Sequence, residues 1–167
     1  WAHKNHIYIL EALQILKSKY NKVIKTVFCG TDKNNLGYLK SVAEKLKINE
    51  EVKFLNFLNE DEIYNLYKYS FAIVAPTYFG PTNHLPIEGF CFEKPVLYSD
   101  IMCDNEQVRD GVIKIDLKKP SDLAEKLFKL QTDKSFLEQS RLKAKKKYEE
   151  LTIKIEKSKN TFKNLFE

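Results

Sequence analysis

The side chains of this sequence whose types and spacing could do chemistry gather in one stretch, 76–100, which reads PTYFGPTNHLPIEGFCFEKPVLYSD. Gly80, Pro81, Thr82, Asn83 and His84 make a polar loop, and Glu88 follows in the first or second turn of a helical segment, LPIEGFCFE. Pro86 suits that helix, because a proline in the first turn lacks only an N–H that would have had no partner. The N–H groups from Thr82 to Leu85 then form a candidate cradle for phosphate or sugar hydroxyls at the positive end of a helix dipole. Glu88 has two readings: a carboxylate that complements the helix dipole, or one whose two oxygens accept from the cis-diol of a ribose. His84, a lone histidine at a helix start, is either a structural or exposed group or a donor to a diphosphate.

A further cation stands near the start of the chain, in His3-Lys4-Asn5. Lys4 immediately precedes the amphipathic run HIYILEALQILKSK at 6–19, for which Asn5 is an available N-cap. A lysine there adds a full charge to the partial charge of the helix end, which suits a phosphate, while read alone it is a solvated surface lysine.

The elements that must hold these groups follow from periodicity. VIKTVFCG at 23–30 reads as a buried strand ending in Gly30, a turn glycine that also permits close backbone approach. Thr31-Asp32 caps a helix over about 33–46, and VKFLNFL at 52–58 is the next strand, so Phe57 and Leu58 are strand-end core residues on this reading. Asn59, followed by three acids, caps the helix EDEIYNLYKYS. The apolar run FAIVAP at 71–76 feeds the loop, PVLYS at 95–99 follows the helix, and Asp110-Gly111 turns into a last strand, VIKID, at 112–116. Ser121 caps LAEKLFKLQ, and 134–167 is helical and lysine-rich. Strands alternating with helices predict an α/β fold with a parallel sheet covered on both faces.

At 167 residues, 43% apolar and 31% charged, the chain is one ordinary domain. Its 28 basic residues are lysine except for Arg109 and Arg141, against 23 acids, a mild excess that argues against an arginine-led nucleic-acid surface. Cys29, Cys91 and Cys103 have no CxxC or Cys/His spacing and read as reduced thiols of a cytoplasmic protein. His3, His6 and His84 share no spacing with Asp or Cys that would hold a metal. No apolar run approaches the roughly 18 residues of a membrane span. The basic run RLKAKKK at 141–147 is a solvated helix face, or else a peripheral contact with anionic lipid on the inner membrane face. The chain enters a helix almost at Trp1, which reads as a piece of a longer protein without its first strand.

The stretch 76–100 resembles the donor-binding signature of the GT-B retaining glycosyltransferases, group one, family four, whose usual form is P-S-x-Y-E-G-F-G-L-P-x-L-E-A-M-A-C-G-K-P-V-V-A-S-D. Pro76, Tyr78, Glu88, Lys94, Pro95, Val96, Ser99 and Asp100 fall on or near the expected types without a gap. Gly80 stands where the first of the family's two glutamates would be. His3-Lys4-Asn5 resembles the family's K-G or K-N turn, 52–67 its V-x-F-L-G-F-V segment with the helix after it, and 105–116 its E-x-V-x-D-G turn and strand, with Glu106 on the family's glutamate.

The resemblance implies a Rossmann-like parallel sheet flanked by helices, the C-terminal half of a GT-B fold. Residues 1–167 would then be a single nucleotide-sugar-binding domain, a fragment lacking the N-terminal acceptor domain. It implies a nucleotide-diphosphate sugar as donor substrate, without a resident cofactor or metal. The acceptor would be a glycan or lipid-linked sugar, with bacterial surface polysaccharide as the product. Lys4 would reach the diphosphate and Glu88 the ribose, the two residues on which catalysis leans. Gly30 would approach the donor, Phe57 and Leu58 would flank the base, and Gly80 to His84 would hold the sugar and phosphates. Two alternatives stand beside this: a nucleotide-sugar-binding scaffold that has lost catalysis, suggested by Gly80, and a basic α/β module for membrane or nucleic acid.

Overall fold

Short β-branched runs and longer amphipathic runs alternate along the sequence, and the computed structural model, which describes residues 2–80 and 84–164, folds them accordingly. A 3₁₀ turn (Ala2–Lys4) leads into α1 (His6–Tyr20), followed by β1 (Thr26–Cys29), α2 (Leu36–Lys45), β2 (Val52–Leu55) and α3 (Glu60–Tyr69). Then come β3 (Ile73–Ala75), α4 (His84–Cys91), β4 (Val96–Ser99), a second 3₁₀ turn (Asp100–Met102), β5 (Ile113–Ile115), α5 (Pro120–Thr132) and α6 (Lys134–Asn164). The strand pairs are parallel, with Thr26 beside Val52, Ile73 beside Val96 and Leu97 beside Ile113.

Two ladders result, β1–β2 and β3–β4–β5, and no ladder joins β1 to β3 among the described residues. They nevertheless share one core. Phe28 and Phe54 from the first ladder, and Val74, Leu97 and Ile115 from the second, pack on the same cluster as Leu10, Leu13 and Leu16 of α1 and Leu123, Leu127 and Leu130 of α5. A second cluster gathers Ala75, Phe90, Val96, Tyr98, Cys103, Val108 and Ala144, so α4 and α6 cover the other face. Successive strand residues point to opposite faces, and in β4 Leu97 enters the first cluster while Val96 and Tyr98 enter the second. All four β4 residues are buried in consequence, as a parallel strand covered on both sides demands. In β1 the burial alternates instead, leaving Val27 40% exposed.

The chain steps outward from β1 to β2, returns through α3, and then steps outward through β3, β4 and β5. Such a reversal is a topological switch point, and ligands of open α/β sheets bind in the crevice outside the carboxyl ends of the strands there. The start of the chain lies across this point. The Tyr78 N–H donates to the His3 carbonyl at 2.9 Å just past β3, and the His6 ring meets Phe28 of β1 edge-on at 5.0 Å.

The elements differ from the sequence expectations chiefly at their ends. Strands are shorter than their apolar runs, so Phe57 and Leu58 lie beyond β2. Asp32 Oδ1 accepts from the N–H groups of Asn35 and Leu36, both at 3.1 Å, and α2 starts only after that turn. Asn59 and Glu62 form the full capping box that the acids after Asn59 predict. Asn5 takes a left-handed conformation, φ 54°, and its side chain caps nothing. Ser121 is not the cap of α5: Pro120 opens that helix, and Asp122 accepts instead from the Asp116 N–H at 2.9 Å. The final helical expectation extends to Glu167, and residues 165–167 lie outside the described residues.

Candidate functional site

Glycine conformations and side-chain tethers build the carboxyl edge. Gly30 ends β1 at φ +130°, a backbone that L side chains rarely adopt, and its N–H lies 3.3 Å from the carbonyls of Leu55 and Asn56. Past β2, Phe57 is 79% exposed and Leu58 half-buried, so the Phe57 ring stands out from the carboxyl edge and is not a core residue. Past β3, buried Thr77 donates through Oγ1 to the carbonyls of Phe79 at 2.7 Å and His3 at 3.2 Å, while the His3 ring stacks on Phe79 at 4.5 Å. The loop after β3, with half-buried Gly80, is thereby joined to the turn that carries Lys4. Lys4 is exposed and makes no ion pair among the described residues. Pro81, Thr82 and Asn83, the centre of the expected anion cradle, lie outside the described residues.

Helix α4 begins at exposed His84 and carries Glu88 one turn further along. Its height above the sheet is set by Gly89, where a Cβ would sit 2.6 Å from Val96 Cγ2 and 3.3 Å from Ile73 Cγ1. Only a residue without a side chain lets the helix lie this close. Glu88 is exposed, and its Oε2 accepts a hydrogen bond from the Tyr67 hydroxyl of α3. The Tyr67 ring is clamped against Phe92, stacked at 5.3 Å, and Tyr64 meets the same Phe92 edge-on at 5.2 Å. Burial first, and then the neighbouring carboxylate, push the Tyr67 phenol well above its ordinary pKa, so it remains a donor at any working pH. Lys94 Nζ donates to the Lys68 carbonyl at 2.8 Å, so this motif lysine fastens the end of α4 to the last turn of α3.

The structure thus brings Lys4 to the loop after β3, and Glu88 to α3. His84 and Phe57 stand exposed at the same edge without joining either group. Tyr67 escapes a reading of sequence, because it lies 21 residues from its partner and looks like one more aromatic on an amphipathic helix. Asn5 Nδ2 is buried without a partner among the described residues, next to Lys4. Glu106 pairs with Lys154, which also meets Glu150 at 2.9 Å. The basic run of α6 is likewise laced with acids: Arg141 meets Glu138 at 2.8 Å, Lys145 meets Glu93 at 2.9 Å and Lys147 meets Glu150 at 3.0 Å. Among the described residues no helix is long and apolar enough to cross a membrane.

Comparison with known proteins adds three findings. The family described as "Glycosyl transferases group 1" matches residues 2–150. The O-antigen chain mannosyltransferase RfbU of Salmonella typhimurium is 26% identical over 113 residues, covering 68% of this chain and 31% of that protein. The chain spans less than a third of the length of the curated relatives that it matches. Among solved structures, the C-terminal domain of a glycosyl transferase group 1 family protein (LpcC) from Francisella tularensis superposes with a TM-score of 0.75. It is 17% identical, over 93% of this chain and 81% of that one. Anabaena Alr3699/HepE in complex with UDP and glucose superposes at 0.74 with 15% identity, over 94% of this chain and 46% of that one.

Proposed function

The chain belongs to the glycosyl transferase group 1 family, and from that premise we propose that it is the donor-binding half of a retaining transferase that uses a nucleotide-diphosphate sugar. The observation that carries the reading is an exposed carboxylate, Glu88, one turn into the helix that follows β3 and held there by the Tyr67 hydroxyl. Its two oxygens suit the two hydroxyls of a ribose. The diphosphate then lies toward the start of α4, where helix N–H groups and the Lys4 ammonium face the same anion. As the glycosidic bond breaks, positive charge grows on the sugar and negative charge on the departing phosphate, and fixed donors at the phosphate stabilise that separation. Gly80 offers no carboxylate to attack the sugar. The acceptor oxygen therefore bonds to the anomeric carbon on the face that the diphosphate leaves, and its proton passes to the leaving phosphate oxygen.

The acceptor is a glycan or lipid-linked sugar, bound by a part of the protein outside these residues, and the product is a bacterial surface polysaccharide. The matched O-antigen mannosyltransferase supports that choice. Its place as part of a larger fold is supported by the edges of β1 and β3, which no ladder joins among the described residues. The alternative of a basic module for nucleic acid or membrane draws little from the run 141–147, where Arg141, Lys145 and Lys147 each meet an acid.

A thermal-shift panel of UDP-, GDP- and ADP-sugars tests the reading. One nucleotide raises the melting temperature, and Glu88→Ala removes the shift. Stabilisation by none of them, or by one that is indifferent to Glu88, overturns it. A nucleotide that binds through Glu88 in a full-length protein that transfers no sugar would favour the scaffold.

A further inference from the structure

Glu88 is exposed on a helix surface, and an exposed glutamate has three side-chain torsions to explore. A carboxylate that must meet two hydroxyls at once gains from being held still before they arrive. Its hydrogen bond from Tyr67 supplies that hold, and the geometry around the tyrosine is built for it. The ring stacks on Phe92, which Tyr64 in turn meets edge-on, and α3 is bound to the end of α4 by the Lys94–Lys68 bond. Rotation about χ2 leaves the hydroxyl oxygen in place, and rotation about χ1 would carry it away only by breaking the stack on Phe92. The hydroxyl occupies one acceptor position on Oε2; a carboxylate has about four, so Oε1 and the second lone pair of Oε2 remain for a diol.

We propose that Tyr67 is a positioning residue for nucleotide recognition: its hydroxyl fixes the Glu88 carboxylate in the rotamer that accepts the ribose diol. The role rests on the ribose reading of Glu88 and adds to it the group on α3 that makes the carboxylate selective. Tyr67 touches no ligand itself. It acts through orientation, so its loss shows only where a ligand carries the hydroxyls that Glu88 reads.

The test is a cycle that pairs a protein change with a ligand change, in the full-length protein, by calorimetric titration. UDP, GDP and ADP are each compared with the 2′,3′-dideoxy counterpart. Tyr67→Phe keeps the ring and its stack and removes only the donor. Freeing a glutamate side chain and losing a charge-assisted hydrogen bond weaken binding of the ribose form about 5- to 10-fold. The dideoxy form loses less than about twofold, because it never engaged Glu88. Glu88→Ala abolishes the preference for ribose, and adding Tyr67→Phe to it costs nothing more. If Tyr67→Phe weakens both ligands alike, or neither, while Glu88→Ala still removes the preference, the tyrosine is merely structural and this inference fails alone. If Glu88→Ala leaves the preference intact, the ribose reading falls and the role of Tyr67 falls with it. A melting temperature for Tyr67→Phe within about 2 °C of the parent separates lost orientation from lost packing.

Discussion

Adding one methyl group at Gly89 drives it into the sheet. The new Cβ would stand 2.6 Å from Val96 Cγ2, about 1 Å inside ordinary carbon contact, and 3.3 Å from Ile73 Cγ1. Val96 is fully buried and β-branched, so it has no free rotamer to retreat into. Either α4 lifts or Val96 turns off its rotamer, an overpacking cost of about 1–3 kcal/mol. The helix propensity of alanine over glycine returns up to about 1 kcal/mol, for a net loss near 1–2 kcal/mol. In a domain of this size that lowers Tm by about 2–8 °C. Gly37 supplies the control: it lies in α2, is exposed, and nothing would stand within 4 Å of its Cβ. Gly37→Ala is therefore stabilising by about 0.5–1 kcal/mol, the same chemical change with the opposite sign. Differential scanning calorimetry of the two variants decides the matter. Gly89→Ala melting at or above Gly37→Ala would refute the close seating of α4 on the sheet, and with it the account of how Glu88 is placed.

Two further outcomes follow from the structure. Burial first, with help from the Lys4 charge, depresses the His6 imidazole to about 4. The unfolded chain takes up this proton below about pH 6.5 and the folded one only near 4, so the stability tied to neutral His6 is present above 6.5 and lost as pH falls to 4. Following the His6 ring by NMR should give a midpoint near 4, and titration near 6.5 would contradict its burial against Phe28. If a strand from elsewhere in a longer protein pairs with the unjoined edges of β1 and β3, backbone amides in Thr26–Cys29 and Ile73–Ala75 exchange at least 100-fold more slowly, by order of magnitude, in the full-length protein than in this segment alone. Equal exchange in the two would mean that those edges stay unpaired.

Local signals carried most of what could be read before any coordinates. Asn59 with Glu62 announces a helix start because both partners of the capping box lie within one turn, and the structure contains both bonds. The alternation of strands and helices likewise requires only neighbouring residues, and it gives the parallel ladders found. Where a long-range partner decides, the sequence is silent or misleading. Asn5 looks like a cap, but the bond from the Asn5 N–H to the Ala2 carbonyl closes a turn that leaves its backbone left-handed and its side chain uninvolved. Phe57 reads as a strand-end core residue, since nothing nearby in sequence reveals that β2 stops at Leu55. The link from Tyr67 to Glu88 joins two helices across a strand and a loop, and no spacing rule spans that distance.

The carbonyl of His3 serves two donors at once, Thr77 Oγ1 and the Tyr78 amide, across a separation of 74 residues in the first case. Lys4 and the mouth of the loop after β3 are in effect riveted to the same oxygen. Neither can swing outward without carrying the other, so cation and loop advance or withdraw as one jaw. The link between the two is completed when the chain folds, so their relative position is set in advance of any ligand.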